Sequence, residues 1–341
     1  MKLAINIGRA ITLGLGYFVG CCLLGWQGAA IWFDSPWPAP SLAAFLLVTA
    51  GALYLLKAWQ QRLAFCVLLF LLNLGWWLQL APSNNREWQA DVAQLPSAEV
   101  NGSILTVQNV RNFDYRSDTD FTPRWETRSF DLSQLKGVDI FLSDWGATGI
   151  VHTIVSWDFG GDQHLAISIE TRKETGETYS AVRGFFRQYE LYYVVADERD
   201  LGPVGRPAGQ LVDVIGVRAR FRGEKLTLYH HKLPLDAARK LLLSYADSFN
   251  KIKDNPKWYN AFTSNCTTRI RSQMQIAGIE RPLNWRLFAN KYIDEMMYER
   301  GMLDQSLPFK ELQARSDVTE LAKSADAATN FATFIRQNLP K

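Results

Sequence analysis

The sequence predicts an α+β fold, a small antiparallel sheet with helices packed on it, standing behind an N-terminal transmembrane helical segment. Three observations lead there: apolar runs crowd residues 1–81, a glycine-centred hairpin pattern lies mid-chain, and helical spacing takes over after Pro234. The expected organisation is a membrane anchor over 1–81 and an exported domain over 82–341.

Ala10 to Phe33 carries no charge. At about 1.5 Å per residue that run is long enough to cross a hydrocarbon core of roughly 30 Å. Pro36, Pro38 and Pro40 break it, and Pro40 suits the start of the next helix. Ser41 to Leu56 forms a second run, extendable to Trp59 if Lys57 snorkels, and Leu63 to Leu80 forms a third. Lys2 and Arg9 at one end, and Lys57 and Arg62 in the connector, contrast with the Asp34 turn, which has no positive charge. The positive-inside rule therefore expects a cytoplasmic N-terminus, an inner-membrane location and a periplasmic C-terminal domain, with Trp76 and Trp77 in an interfacial belt. A cleaved signal peptide is the competing reading of residues 1–30. It lacks a small-residue cleavage site before a soluble stretch, and two more apolar runs follow.

Lys and Arg number 37 against 34 Asp and Glu, a formal charge of +3. This mild balance, with no nucleic-acid motif, argues against a nucleic-acid partner. Cysteine usage says more. Cys21, Cys22 and Cys66 fall inside the apolar runs, which leaves Cys266 as the exported domain's one thiol, with no internal disulfide partner. In an oxidising compartment such a thiol is a liability unless buried or used.

In the exported domain, Pro82 to Gln94 reads as a polar linker and Val100 to Val110 as a strand. Asn109 to Phe130 reads as an irregular polar loop or edge strand. The hairpin runs from Ile150 to Phe159 and from Gln163 to Arg172, with Gly160-Gly161-Asp162 as its turn. Tyr189 to Ala196, Gln210 to Val217 and Leu226 to His231 are further strands. Pro234 to Lys251 is a helix by the spacing of Ala238, Leu241, Leu242 and Tyr245. Thr267 to Ala277 is another, ended by Gly278.

Cys266 lies where a polar loop turns into that last helix. Ser264 or Asn265 can cap it, which puts the thiol in the first turn. There the helix dipole lowers a thiol pKa, and unpaired N–H groups can hold an oxyanion. The competing reading is a buried small hydrophobe. Flanking Asn, Ser and Thr make a poor apolar pocket.

A thiol nucleophile needs a base, and four histidines are available. The adjacent His230 and His231 read as surface residues. His152 sits in an apolar strand, where it is either a satisfied core histidine or a base. With a three-residue turn, counting outward from Phe159 and Gln163 sets His152 opposite Glu170 and Ile154 opposite Ser168. Directly opposed Cβ atoms lie about 5 Å apart. A carboxylate holding the imidazole while its other nitrogen faces a thiol is the arrangement of a triad. The same register sets His164 opposite Asp158, six residues along and roughly 20 Å from His152 at about 3.3 Å per residue. A two-residue turn would put Glu170 and His152 on opposite faces. Motifs of zinc proteases, serine hydrolases and P-loop enzymes are absent, and Asp118-Thr119-Asp120 is only a weak metal motif. No metal and no cofactor is expected.

These residues resemble the family named for the Lnb lipoprotein N-acyl transferase domain. The likeness runs from about Trp88 to Thr268, through the His152 strand, the run Ser168-Ile169-Glu170-Thr171-Arg172-Lys173-Glu174 and the run from Tyr179 to Leu191. Asp197-Glu198-Arg199-Asp200 and the stretch from Tyr259 to Thr268 complete it. The order of histidine strand first and cysteine helix later is also similar to circularly permuted papain-like folds. In those the third member is often a polar residue on the neighbouring strand. Glu170 or His164 matches it, Ser168 is also possible, and the register favours Glu170.

The resemblance implies acyl transfer, in which Cys266 attacks an ester of a lipoprotein or phospholipid, His152 takes the thiol proton, and an acyl-enzyme passes its chain to an amine. In the family's characterised activity that amine belongs to the lipoprotein's own N-terminal cysteine. Asn265, Thr267 and Tyr179 become candidate substrate contacts. Arg172, Arg183 and Arg187 become candidate headgroup contacts, with ion pairing as their alternative. A papain-like hydrolase of cell-wall or peptide amide bonds and a non-catalytic membrane-tethered binding module are the competing functions.

Overall fold

The computed structural model describes residues 2–117, 119–200, 215–220, 222–279, 284–287, 289–325 and 330–340. The chain divides into two compact units, one of 1–82 with Val182–Gln188 and one of 83–181 with 189–341.

The first unit holds α1 (Lys2–Asp34), α2 (Pro38–Leu55) and α3 (Trp59–Gln79). Each contains a stretch long and apolar enough to cross a membrane: Gly14–Asp34, Pro38–Leu55 and Trp59–Gln79. Leu15, Phe18, Leu47, Leu68 and Leu72 are exposed on them, as lipid-facing residues would be. Asp34, at the end of α1, accepts from Trp77 Nε1 at 2.7 Å and from Gln188 Nε2 at 2.9 Å. Arg187 stacks over the Trp77 ring at 4.3 Å. Trp77, expected in an interfacial belt, is thus engaged inside this unit.

The second unit is an α+β domain. Its strands are β1 (Ser97–Asn101), β2 (Ile104–Arg111), β3 (Asp114–Tyr115), β4 (Phe121–Thr122), β5 (Trp125–Asp131) and β6 (Gly137–Asp144), then β7 (His152–Asp158), β8 (His164–Arg172), β9 (Glu190–Ala196) and β10 (Lys225–His231). The main sheet has eight strands in the order β1-β2-β9-β8-β7-β6-β10, with β5 also on β2. It is antiparallel except for one β2–β9 pair at Arg111 and Ala196. The sheet is larger than the sequence led us to expect because β6 escapes notice: it is buried on both faces and so shows no polar alternation. Val100–Val110 is two strands rather than one, turned at Gly102, whose φ of 60° suits glycine.

Helices cover both faces. α5 (Leu235–Asp254), α6 (Cys266–Ile276) and α7 (Ile293–Glu299) pack on the face bearing Val155, Trp157, Leu165 and Ile167. α4 (Ile215–Arg220), α8 (Phe309–Arg315), α9 (Thr319–Ser324) and α10 (Phe331–Ile335) complete the helices. Ala219, Val318, Ala322, Phe331 and Ile335 pack on the other face, over Ile154, Ala166 and Val194. On that side half-buried Arg336 bonds Asp139 Oδ2 at 2.6 Å and Glu198 Oε1 at 2.7 Å, fastening the C-terminal helices to β6 and to the end of β9.

Three further expectations are corrected. Residues 82–94 are not a free linker: Asp91 and Val92 are fully buried, and Asn84 donates to the carbonyls of Ile252 and Lys253. The expected strand Gln210–Val217 falls outside the described residues over 210–214 and enters α4 at Ile215. His231, read as a surface residue, is buried, because alternation along β10 turns His230 out and its neighbour in.

Candidate active site

The thiol is placed by a capped helix. Asn265 is the N-cap of α6, its side chain accepts from Thr268 N at 3.0 Å, and Thr268 Oγ1 accepts from Asn265 N at 3.0 Å. This reciprocal box fixes Cys266 as the first helical residue. In a first turn the N–H groups of Cys266 and Thr267 face no intrahelical acceptor. Cys266 is half-buried, so its sulfur is reachable.

The imidazole is placed by the hairpin. Phe159 N donates to Gln163 O at 2.9 Å, and Gly160 and Gly161 take φ of 96° and 62°, values that favour glycine. The ladder then pairs Asp158 with His164 and Ile154 with Ser168, and it ends there. Beyond it β7 and β8 part, with His152 and Glu170 still in step. Both project on the Ile154 side of the sheet, whereas α6 packs on the Val155 side. The thiol therefore meets the ring where β7 and β8 no longer pair with each other, while His152 still pairs with Ser143 of β6 and Glu170 with Tyr192 of β9.

His152 Nε2 lies 2.8 Å from Glu170 Oε1 and 2.6 Å from Ser168 Oγ, and Ser168 Oγ donates to the same carboxylate oxygen at 2.7 Å. With Nε2 engaged, Nδ1 is the nitrogen left for the thiol. Burial works most strongly against an imidazolium here and Arg218 opposes it too, but the Glu170 carboxylate and Cys266 together outweigh them and raise His152 to about 9. Burial likewise opposes the Glu170 charge, and His152, Arg218 and Ser168 together hold that carboxyl well below its usual range. Burial pushes the Cys266 thiol up. The His152 charge, its hydrogen bond and one from the Thr153 backbone more than offset this, so the thiol is lowered. These shifts favour a thiolate–imidazolium pair.

Several neighbours were not anticipated. Arg218 Nη2 lies 2.9 Å from Glu170 Oε1, and its Nη1 lies 3.0 Å from Glu224 Oε2. Glu224 also bonds Arg222 at 3.0 Å and the Ser143 hydroxyl. Buried Asn290 donates to Val151 O at 2.6 Å and to Thr267 Oγ1 at 2.9 Å, and accepts from Val151 N at 2.8 Å, tying the start of β7 to the start of α6. Tyr259 hydrogen-bonds Tyr179, and burial raises Tyr259 well above its ordinary value, so its hydroxyl stays protonated. The aromatic run that carries Tyr259 was a usable signal, whereas nothing in the sequence marks Asn290.

An apolar cavity of about 90 Å³ lies between β6, β7 and helices α5, α6 and α7. Ile270, Met274, Ile293, Met296 and Met297 line much of it. Its wall includes Thr153, whose backbone bonds the thiol, and Thr267, whose Oγ1 is 3.9 Å from Sγ. The cavity therefore ends one side chain from the sulfur.

The structure brings together His152, Glu170, Ser168, Cys266, Thr267 and Tyr179. His164 is set apart at the turn end of the hairpin, 3.4 Å from Asp158, as the register requires. Asn265 spends its side chain on the cap and on Ala261 O. Arg172, a candidate headgroup contact, is instead buried: it stacks on Trp88 at 4.2 Å, bonds Val92 O at 3.0 Å, and is lowered to about 10 by that burial. Arg183 and Arg187 lie in the segment that groups with the apolar helices. Asp118 falls outside the described residues, and Asp120 is paired with Arg116 at 2.5 Å.

A model of the family described as the Lnb N-terminal periplasmic domain matches residues 121–204 and 207–291, taking in His152, Glu170 and Cys266, and the chain belongs to that family. Comparison with curated proteins and with solved structures finds no match. Membership and the three apolar helices make this a membrane-associated protein with a periplasmic domain.

Proposed function

We propose that this member of the Lnb N-terminal periplasmic domain family is a thiol acyltransferase acting on lipid esters, with lipoprotein acyl chains as its substrate class. The observation that carries the reading is the Cys266 thiol at a helix N-terminus, electrostatically coupled to an imidazole that a half-buried carboxylate holds, beside an apolar cavity. The Cys266 thiolate attacks the ester carbonyl, and the first-turn N–H groups receive the developing oxyanion. As the C–S bond forms and the C–O bond breaks, His152 gives its proton to the departing alcohol. An amine then attacks the thioester, His152 takes the amine's proton, and the thiolate leaves.

Glu170 keeps the ring oriented through both steps and stabilises it whenever it carries the proton, with Ser168 bridging the two. The cavity suits an alkyl chain because Met and Ile side chains adapt to one and offer it no competing hydrogen bond. The permuted papain-like order, histidine strand before cysteine helix, accords with a thiol acyl transferase. Basic residues around Lys2, Arg9, Lys57 and Arg62 support a cytoplasmic N-terminus in the inner membrane, with residues 82–341 on the periplasmic side.

The test offers the full-length protein in detergent either a synthetic diacylated lipopeptide or purified murein. Transfer of an acyl chain from the lipopeptide to an amine, lost in Cys266→Ser, is the expected result. Cleavage of murein with the lipopeptide untouched would assign a hydrolase instead, and no Cys266-dependent turnover of either would assign a binding module.

A further inference from the structure

Arg218 lies between two carboxylates, Glu170 on β8 at 2.9 Å and Glu224 at 3.0 Å, and it is buried. Glu224 is buried too and is bound again by Arg222 at 3.0 Å and by Ser143 of β6. Ser143 is the β6 partner of His152 in the β6–β7 ladder, so this ionic chain closes around the base of the histidine strand. The backbone closes it as well, through Glu224 N to Arg218 O at 3.0 Å. We propose that Arg218 is a positioning residue for the thiol–imidazole pair: clamped by Glu224, its guanidinium holds the Glu170 carboxylate against His152 and sets how much of that charge the ring receives.

The inference rests on the thiol reading above. A carboxylate that faced only the ring would give it the whole benefit of its charge. Shared with a guanidinium, it gives part, and the imidazole then remains able to release its proton as well as hold it. Acyl transfer needs both abilities, since one step donates a proton to an alcohol and the other accepts one from an amine. The charged and titratable groups that meet at this point are Glu170 from β8, Cys266 from α6, Arg218 from α4, Arg222 and Glu224 from the turn before β10, and Tyr179 and Tyr259. Arg218 and Arg222 are the cations among them. Replacing Arg218 by a neutral side chain therefore makes the surroundings of the ring more negative.

The experiment follows alkylation of Cys266 by iodoacetamide against pH in the full-length protein in detergent, read by mass spectrometry of the Cys266 peptide. Two steps are expected in the wild type, the lower for thiolate formation and the upper for loss of the imidazolium proton. Arg218→Gln moves the upper step up by about one unit, the size of effect a nearby charge has on an imidazole. Arg218→Lys keeps the charge and restores the step. Glu224→Gln moves it down, because the guanidinium then serves Glu170 alone. Loss of fold would leave a variant with a single step at an ordinary thiol pKa and would not move opposite variants in opposite directions. An upper step unmoved in Arg218→Gln and Glu224→Gln, with two steps present in the wild type, overturns the role of Arg218 and leaves the thiol reading standing. A single step at an ordinary thiol pKa in the wild type overturns both.

Discussion

Glu170→Gln removes one charge and keeps the shape, and its effect can be worked from the geometry. The carboxylate lies 2.8 Å from His152 Nε2 and is the strongest of the groups that raise the ring to about 9 against the cost of burial. Gln retains an oxygen for Ser168 and Arg218 but carries no charge. Burial and the Arg218 guanidinium, which disfavour an imidazolium, are then opposed only by Cys266, so the ring holds its proton less tightly. The ratio of thiolate–imidazolium to neutral thiol–imidazole scales with the ring's affinity for its proton. Losing one opposite charge at this distance, an effect of about two pKa units, lowers that ratio on the order of 100-fold, about 3 kcal/mol. Alkylation of Cys266 near neutral pH should slow by two orders of magnitude, with the difference closing above the ordinary thiol pKa as the thiolate forms without help. Cys21, Cys22 and Cys66 are separated from Cys266 by peptide mass spectrometry. Rates within about threefold of wild type across the pH range, an energy of about 0.7 kcal/mol, would refute the carboxylate's role.

Three other outcomes follow from the same structure. Asn265→Ala removes the α6 cap and should cost about 1 kcal/mol of stability in thermal unfolding. It should also slow Cys266 alkylation, because the first turn loosens around the thiol. Met297→Trp fills the apolar cavity and should cut turnover of a long-chain ester while leaving iodoacetamide alkylation near wild type, which kinetics with esters of graded chain length would show. Arg336→Met leaves Asp139 and Glu198 buried without their shared cation and should cost about 3 kcal/mol in chemical denaturation; a loss below about 1 kcal/mol would mean the C-terminal helices are held by packing alone.

Much of the site was legible because it is built from short-range signals. Gly160-Gly161-Asp162 dictates a three-residue turn, that turn dictates register, and register sets His152 and Glu170 in step. Asn265 before Cys266 dictates a cap. Arg218 was hidden because it reaches Glu170 across 48 positions from a segment whose Val and Ile residues mimic a strand. Arg172 misled for the converse reason. A cation is read as exposed unless its partners are visible, and here they are the Trp88 ring and backbone carbonyls of a stretch that itself looks like a linker. β6 was missed because a strand covered on both faces has no alternation to detect, and His231 because its place beside a chain turn looks exposed.

The central claim is that Cys266 carries an acyl chain as a thioester. The most direct measurement is the mass of the full-length protein after exposure to a phospholipid or diacylated lipopeptide with no amine acceptor present. The account predicts one added acyl mass, mapped to the Cys266 peptide, released by hydroxylamine and absent in Cys266→Ser and His152→Ala. An unmodified Cys266 peptide, from protein whose thiol alkylates readily, would contradict it.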